Sequence, residues 1–582
     1  MPDCPFNPAA ENIADLIYRF GSLQSERWNN TSSLCADYVS SDYIILHMPL
    51  TPDAVSMRVH PYYMIPSLFS PLDYNAMEAS GILSAFNSPA LNNQGKGVLI
   101  GLVDTGIDYR SPLFQNPDGT TRIAGIWDQS VPIEEDVLPA GVPDYYPMGG
   151  SSYGTEYTRE QINEALASDN PLSLVPTQDT IGHGTFLAGL AAGSSIPQED
   201  FTGAAPEAEL AVVKLKPAKK YLRDFYLIPS DAPAFQENDI MMGIKYLRMM
   251  ADRLKKPLVI LLAMGSNSGS HIGTSPLSQV TQNYSGFFGI ITVIACGNET
   301  GAAHHFYASI PAGTEYEDVE IRVGKEEAER GFVLELWAAD ADTYTVGFIS
   351  PSGERISRIP IIANNETSIP FLLDATTITV NYQLIEAESG SQLIFMRFQT
   401  PAAGIWTVRV YNTQRFKGTF HMWLPVQGMI SEETVFLRPD PYSTITVPGN
   451  SRLPITVGAY DTSTGGIYIH SSRGFTPNQI IKPELAAPGV NILGPSVGRK
   501  PGSDTPMTTR TGTSAAAAIT AGAAANLLGW GIVEGNYPTM SEASVKSYLI
   551  RGAQRNPALT YPNREFGYGT LDLFQTFLRL RE

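Results

Sequence analysis

In the stretch TRTGTSAAAAIT, residues 509–520, Ser514 stands after Gly-Thr and ahead of four alanines. Two roles fit that placement. A serine before an alanine run caps a helix through its hydroxyl. A helix N-terminus also presents N–H groups and positive potential to a developing oxyanion. Three other segments bear on the choice. In LIGLVDTGIDY (99–109) an apolar run of strand length ends in Asp104, and open α/β sheets build their sites at the carboxyl ends of strands. In DTIGHGTFLAGLAAG (179–193) His183 lies between two glycines, which let its backbone approach another group closely. In VIACGNETG (293–301) Asn298 follows a strand in a glycine turn.

Each residue has an ordinary reading when taken alone: a loop acid, a structural histidine, a turn asparagine, a helix cap. Together they supply one group for each role in acyl transfer. A serine hydroxyl becomes a useful nucleophile when a histidine takes its proton, and an acid fixes the histidine tautomer. A side-chain amide then donates to the oxyanion, a contribution of about 3–4 kcal/mol. Asp104, His183 and Ser514 follow the chain order Asp, His, Ser, one of the known convergent orders.

Such groups have to be held by a rigid scaffold, and the sequence contains one. GVLIGLVD (97–104), AELAVVKL (208–215), PLVILLAM (257–264) and GIITVIAC (289–296) are continuous apolar runs of the buried parallel-strand kind. Residues 238–256 carry apolar positions at helical spacing between them. Strand–helix alternation predicts an α/β doubly wound parallel sheet. From about 310 to 440 the pattern changes to short strands at turn-bounded intervals with no convincing helix, which predicts an inserted all-β sandwich or jelly roll. Its Trp337 and Trp406 read as core residues, with carbohydrate binding the weaker alternative. After about 445 the α/β style resumes. The expected division is 1–85, 86–308, 309–440 and 441–582.

Composition sets outer limits. The 582-residue chain is 43% hydrophobic and 17% charged, which is globular and longer than one ordinary domain. Its net charge of −19 is spread without acidic or basic blocks, which argues against nucleic acid or an anionic membrane as partner. Cys4, Cys35 and Cys296 are too few and scattered for a disulfide framework or zinc site and read as reduced thiols. No apolar run is expected to reach transmembrane length. No basic n-region leads into an apolar h-region, so the default compartment is the cytoplasm. Asp108, Asp128 and Asp179 offer oxygens to calcium, but no loop is dense enough in ligands, so capping and surface roles are favoured for them and neither metal nor cofactor is expected.

The blocks DTGID, GHGT followed by AG, GN after a strand, and GTSAAAA resemble the four signature blocks of the subtilisin-like serine proteases, and KPELAAPGVNI (482–492) resembles the segment preceding the nucleophile there. The match spans about 100–300 and 450–580. The chain is most similar to one branch, the clostridial Csp germination proteases, which carry a jelly-roll insert between the oxyanion asparagine and the serine. The resemblance implies a serine endopeptidase acting on a peptide or protein. Asp104, His183 and Ser514 would form its triad and Asn298 its oxyanion donor. It implies that Ala263, Met264 and Gly265 line one side of the S1 pocket, Ala295, Cys296 and Gly297 the other, with Thr513 beside the nucleophile. Residues 1–85 would be a prodomain that chaperones folding, inhibits the active site and is removed by self-cleavage near 65–85. A catalytically silent scaffold is the alternative fate in that branch, and spore association or non-classical release the alternative location. One departure stands out: a proline often follows the serine by a few residues, whereas this chain has SAAAAIT, which keeps the helix intact.

Overall fold

Seven buried strands run parallel through the centre of the molecule, in the order Leu485–Pro488, Ile455–Tyr460, Ile290–Ala295, Leu258–Leu262, Leu99–Asp104, Glu209–Lys214 and Ile123–Asp128. Thr155–Thr158 adds an antiparallel edge. The computed structural model describes residues 6–19, 35–40, 42–51, 54, 56–71, 79–88, 91, 93–132, 153–197, 200–339, 341–362, 366–498 and 506–580. Cys4 lies outside them. Strand Leu99–Asp104 comes first of the seven in sequence yet sits inside the sheet. Later strands are laid down on both of its sides, so its carboxyl end is the topological switch point.

Helices cover both faces. On one side pack His183–Ala192 and Thr513–Leu528, in which every residue is buried. Such helices cannot be amphipathic, and their alanines and glycines let backbones approach. A Cβ on Gly522 would lie 2.3 Å from that of Ala204. The segment Thr513–Val533 has a mean hydropathy of 1.5, so contrary to expectation one stretch does reach membrane-spanning length and apolarity. It is 83% buried, which is the environment of a core helix. On the other face lies the amphipathic helix Glu237–Leu254.

The insert is two antiparallel sheets around a shared apolar core. The six-stranded sheet starts at His305–Ser309 and the five-stranded one ends at Val435–Phe436. Among its described residues one short helix occurs, Glu327–Arg330. Trp406 is fully buried and Trp337 is 4% exposed, so both fill core.

The N-terminal segment has more strand than its sequence suggests. Ile13–Arg19, Tyr43–Pro49 and Ala36–Tyr38 form an antiparallel sheet whose Ile17, Tyr43 and Ile45 pack with Ile240, Ile244 and Leu247 of helix Glu237–Leu254. Cys35 is disulfide-bonded, which corrects its reading as a reduced thiol. Cys296 is the free, buried cysteine.

Candidate active site

Asp104 ends its strand at the switch point with one carboxylate oxygen fixed by the Thr105 N–H at 2.7 Å. The same oxygen, Oδ1, lies 2.7 Å from His183 Nδ1. His183 Nε2 lies 3.3 Å from Ser514 Oγ. With Nδ1 protonated against the acid, Nε2 keeps its lone pair for the serine proton. Asp104 and His183 are each 2% exposed and Ser514 is fully buried. In this low-dielectric setting the pairings are stronger than in water.

The glycines flanking His183 have separate reasons. Gly182 sits at φ +81°, a left-handed turn into the helix. Gly184 is needed for approach: a Cβ there would lie 2.2 Å from the Gly106 carbonyl and 3.2 Å from Asp104 Oδ1. Any side chain would push the histidine helix off the aspartate loop.

Asp179 ties these two loops together. Its Oδ1 accepts from Gly182 N–H at 2.7 Å, Ile181 N–H at 3.1 Å and Thr105 Oγ1 at 2.9 Å, while Oδ2 accepts from Thr185 N–H at 2.9 Å and Thr185 Oγ1 at 2.8 Å. Thr105 Oγ1 accepts in turn from Gly184 N–H at 2.9 Å. Sequence reading considered Asp179 only as a calcium ligand or cap and missed this brace. Asp108 pairs with Arg110, and Asp128 accepts from Thr177, Ser130 and Lys214. Asp128 is fully buried, so its role is internal and not a surface one.

Ser514 lies in the first turn of helix Thr513–Leu528, as its sequence suggested, but the cap position is taken by Gly512 and the Ser514 hydroxyl faces His183 instead. Asn298 is half-buried beside it, and its Oδ1 accepts from Thr513 N–H at 3.1 Å. Gly297, at φ +103°, donates its N–H to Thr513 Oγ1 at 3.3 Å. Thr513 therefore fixes the position of both the asparagine and the glycine turn.

Ala263, Met264, Gly265, Ala295, Cys296 and Gly297 are all buried at neighbouring strand ends. Strand Leu68–Pro71 inserts antiparallel between Met264–Gly265 and Phe235–Gln236, with Pro71 opposite Met264 and Ser70 opposite Gly265. The Cys296 thiol is turned onto Ser471 and the Ser472 carbonyl, and burial pushes its pKa up to about 12, which keeps it protonated and unreactive. Among the described residues no cluster of three or more metal-ligating side chains occurs.

The family profile described as Subtilase family matches residues 95–349 and 438–569. The solved structure of the Clostridium perfringens CspB protease superimposes with a TM-score of 0.74 at 30% identity, over 87% of this chain and 97% of that one. The Arabidopsis thaliana subtilisin-like proteases SBT3.5 and SBT3.12 are each 23% identical, over 87% and 81% of this chain. The chain spans 64% and 59% of the lengths of these two plant relatives.

Proposed function

The chain belongs to the subtilase family, and from that premise we propose that it is a serine endopeptidase. The observation that carries the proposal is the hydrogen-bonded line from Asp104 through His183 to Ser514, with the Asn298 amide held at the same helix terminus. In this reaction Ser514 Oγ gives its proton to His183 Nε2 and attacks the substrate carbonyl carbon. The oxyanion receives hydrogen bonds from the Asn298 amide and the Ser514 N–H. His183 then returns the proton to the departing amine, and water repeats the sequence on the acyl-enzyme. Completeness of the constellation favours this reading over a silent scaffold.

Substrate is held by β-augmentation along Met264–Gly265 and Phe235–Gln236, the edges that strand Leu68–Pro71 occupies. That occupancy supports a prodomain role for the N-terminal segment, as an intramolecular inhibitor released by self-cleavage. The Cys35 disulfide favours a spore-associated or released protein over a cytoplasmic one, because the cytosol keeps thiols reduced. Intact-mass analysis of the purified full chain tests the reading. Wild type is expected to yield a fragment ending within 65–85 and to degrade labelled casein, with Ser514→Ala remaining at 63.2 kDa and inactive. An intact wild type that leaves casein untouched would overturn it.

A further inference from the structure

Between the turn that carries Asn298 and the inserted β module lies a carboxylate that the proposed reaction does not use. Glu299 is 3% exposed, as are the Asn267 and His304 side chains that meet it. Its N–H donates to Ser472 Oγ at 3.0 Å. Oε1 accepts from the Gln427 N–H at 3.1 Å, and Oε2 accepts from Asn267 Nδ2 at 2.9 Å and lies 3.0 Å from His304 Nδ1. A carboxylate buried this deeply is tolerated where donors replace its water, and these groups do so.

The partners come from both ends of the insert and from the substrate edge. Asn267 follows Met264–Gly265. His304 stands directly before the insert strand His305–Ser309, and Gln427 lies on the chain that leaves its strand Thr419–Trp423. Leu424 ties these pieces together: its N–H bonds the His304 carbonyl at 2.9 Å, and its carbonyl accepts from Asn267 Nδ2 at 3.1 Å. Gln427 Nε2 also reaches the Asn298 carbonyl, at 3.4 Å. Thr513 holds the Asn298 side chain by its oxygen, and Gly297 before it, at φ +103°, has no Cβ to limit the backbone. The main chain on the far side of Asn298 is held through Glu299. We propose that Glu299 is a positioning residue that fixes the Asn298 amide for the oxyanion, and that the insert supplies its anchor through the Gln427 N–H. The inference rests on the endopeptidase reading and deepens it by making the insert a working part of the active site.

The test uses the full chain with fluorescently labelled casein, and counts active sites by fluorophosphonate labelling run to completion. Glu299→Gln keeps the side-chain size, but either orientation of its amide sets an N–H against a donor. Gln427→Pro removes the insert's N–H. Residue 427 is exposed and stands second in a turn closed by the Met429 N–H on the Val426 carbonyl at 3.0 Å, with Gly428 at φ +83°, where proline is favoured. Each variant should lower kcat per labelled site by about tenfold or more with KM within about twofold, part of what a displacement of about 1 Å costs. In an Asn298→Ala background each should change kcat by less than about twofold, because the group being positioned is gone. A purely structural role would cost the same factor in both backgrounds. That equal loss overturns the proposal, as does a kcat within about twofold of wild type in either single variant. A wild type that takes no label and leaves casein intact removes the protease reading itself, and this proposal with it.

Discussion

At the scale of single residues, the proposed catalysis depends on atoms held close together by the absence of side chains. Gly184→Ala places a methyl group against the Gly106 carbonyl, 2.2 Å from where its Cβ must go, and forces His183 away from Asp104. A displacement of about 1 Å costs about 10²-fold in rate, so kcat should fall on that scale while circular dichroism stays that of the wild type. On the proposed mechanism Asn298→Ala deletes a donor to the oxyanion and should lower kcat by about 10²–10³-fold with little change in KM. Asp179 differs from both because it touches no substrate. Asp179→Ala leaves the Gly182 and Thr185 N–H groups without their acceptor, and should lower stability to urea by about 1–3 kcal/mol along with activity. The four residues of the proposed chemistry stand out in the sequence because each sits in a short motif marked by glycines and a strand end or helix start. The brace made by Asp179 does not, since it arises only where the loops that carry Thr105 and Gly182 meet.

The elements that hold these residues follow packing rules that the sequence shows unevenly. Strands such as Leu258–Leu262 and Ile290–Ala295 are buried on both faces and so leave unbroken apolar runs. Ile123–Asp128, with alanine and glycine inside it, and the N-terminal Ile13–Arg19, broken by Asp15, give weaker patterns and escaped notice. The alanine run after Ser514 is explained at this scale: helix Thr513–Leu528 is buried all round and packs on His183–Ala192, so small residues set the depth at which the serine arrives. Gly522→Val, aimed at Ala204, should destabilise by about 1–3 kcal/mol in urea unfolding through overpacking, with activity falling in step as the helix shifts.

For the whole molecule, two buried histidine sites join its parts and respond oppositely to pH. Where the insert meets the catalytic sheet, His271 stacks on Trp423 at 4.1 Å, and His305 Nε2 meets His421 Nδ1 at 2.9 Å. Burial, with added repulsion from His271 at His421, pulls His271 down to about 4 and His421 to about 3. Unfolding lets these rings take protons below about 6.5, so stability should decline as pH falls from there toward 4, by up to about 1.4 kcal/mol per unit for each ring. In the N-terminal sheet burial opposes charge on His47, yet hydrogen bonds to Asp15 and Asp37 outweigh it and hold the pKa up at about 9. That contribution is present below about 6.5 and is lost as pH rises through about 9. Hydrogen exchange should therefore accelerate in 13–19 and 43–49 at pH 10 before the central sheet responds, and urea midpoints should drop between pH 7 and pH 5. The insert junction was invisible in the sequence because its partners stand far apart in the chain, 116 residues for His305 and His421, and Tyr62 likewise donates to Glu335 of the insert.

The central claim is that Ser514 is a nucleophile activated by His183 and Asp104, and fluorophosphonate labelling of the full chain measures that directly. The account predicts a covalent adduct on Ser514 in wild type, none in Ser514→Ala and a strongly slowed reaction in His183→Ala. Equal labelling of wild type and Ser514→Ala, or no labelling of wild type, would contradict it.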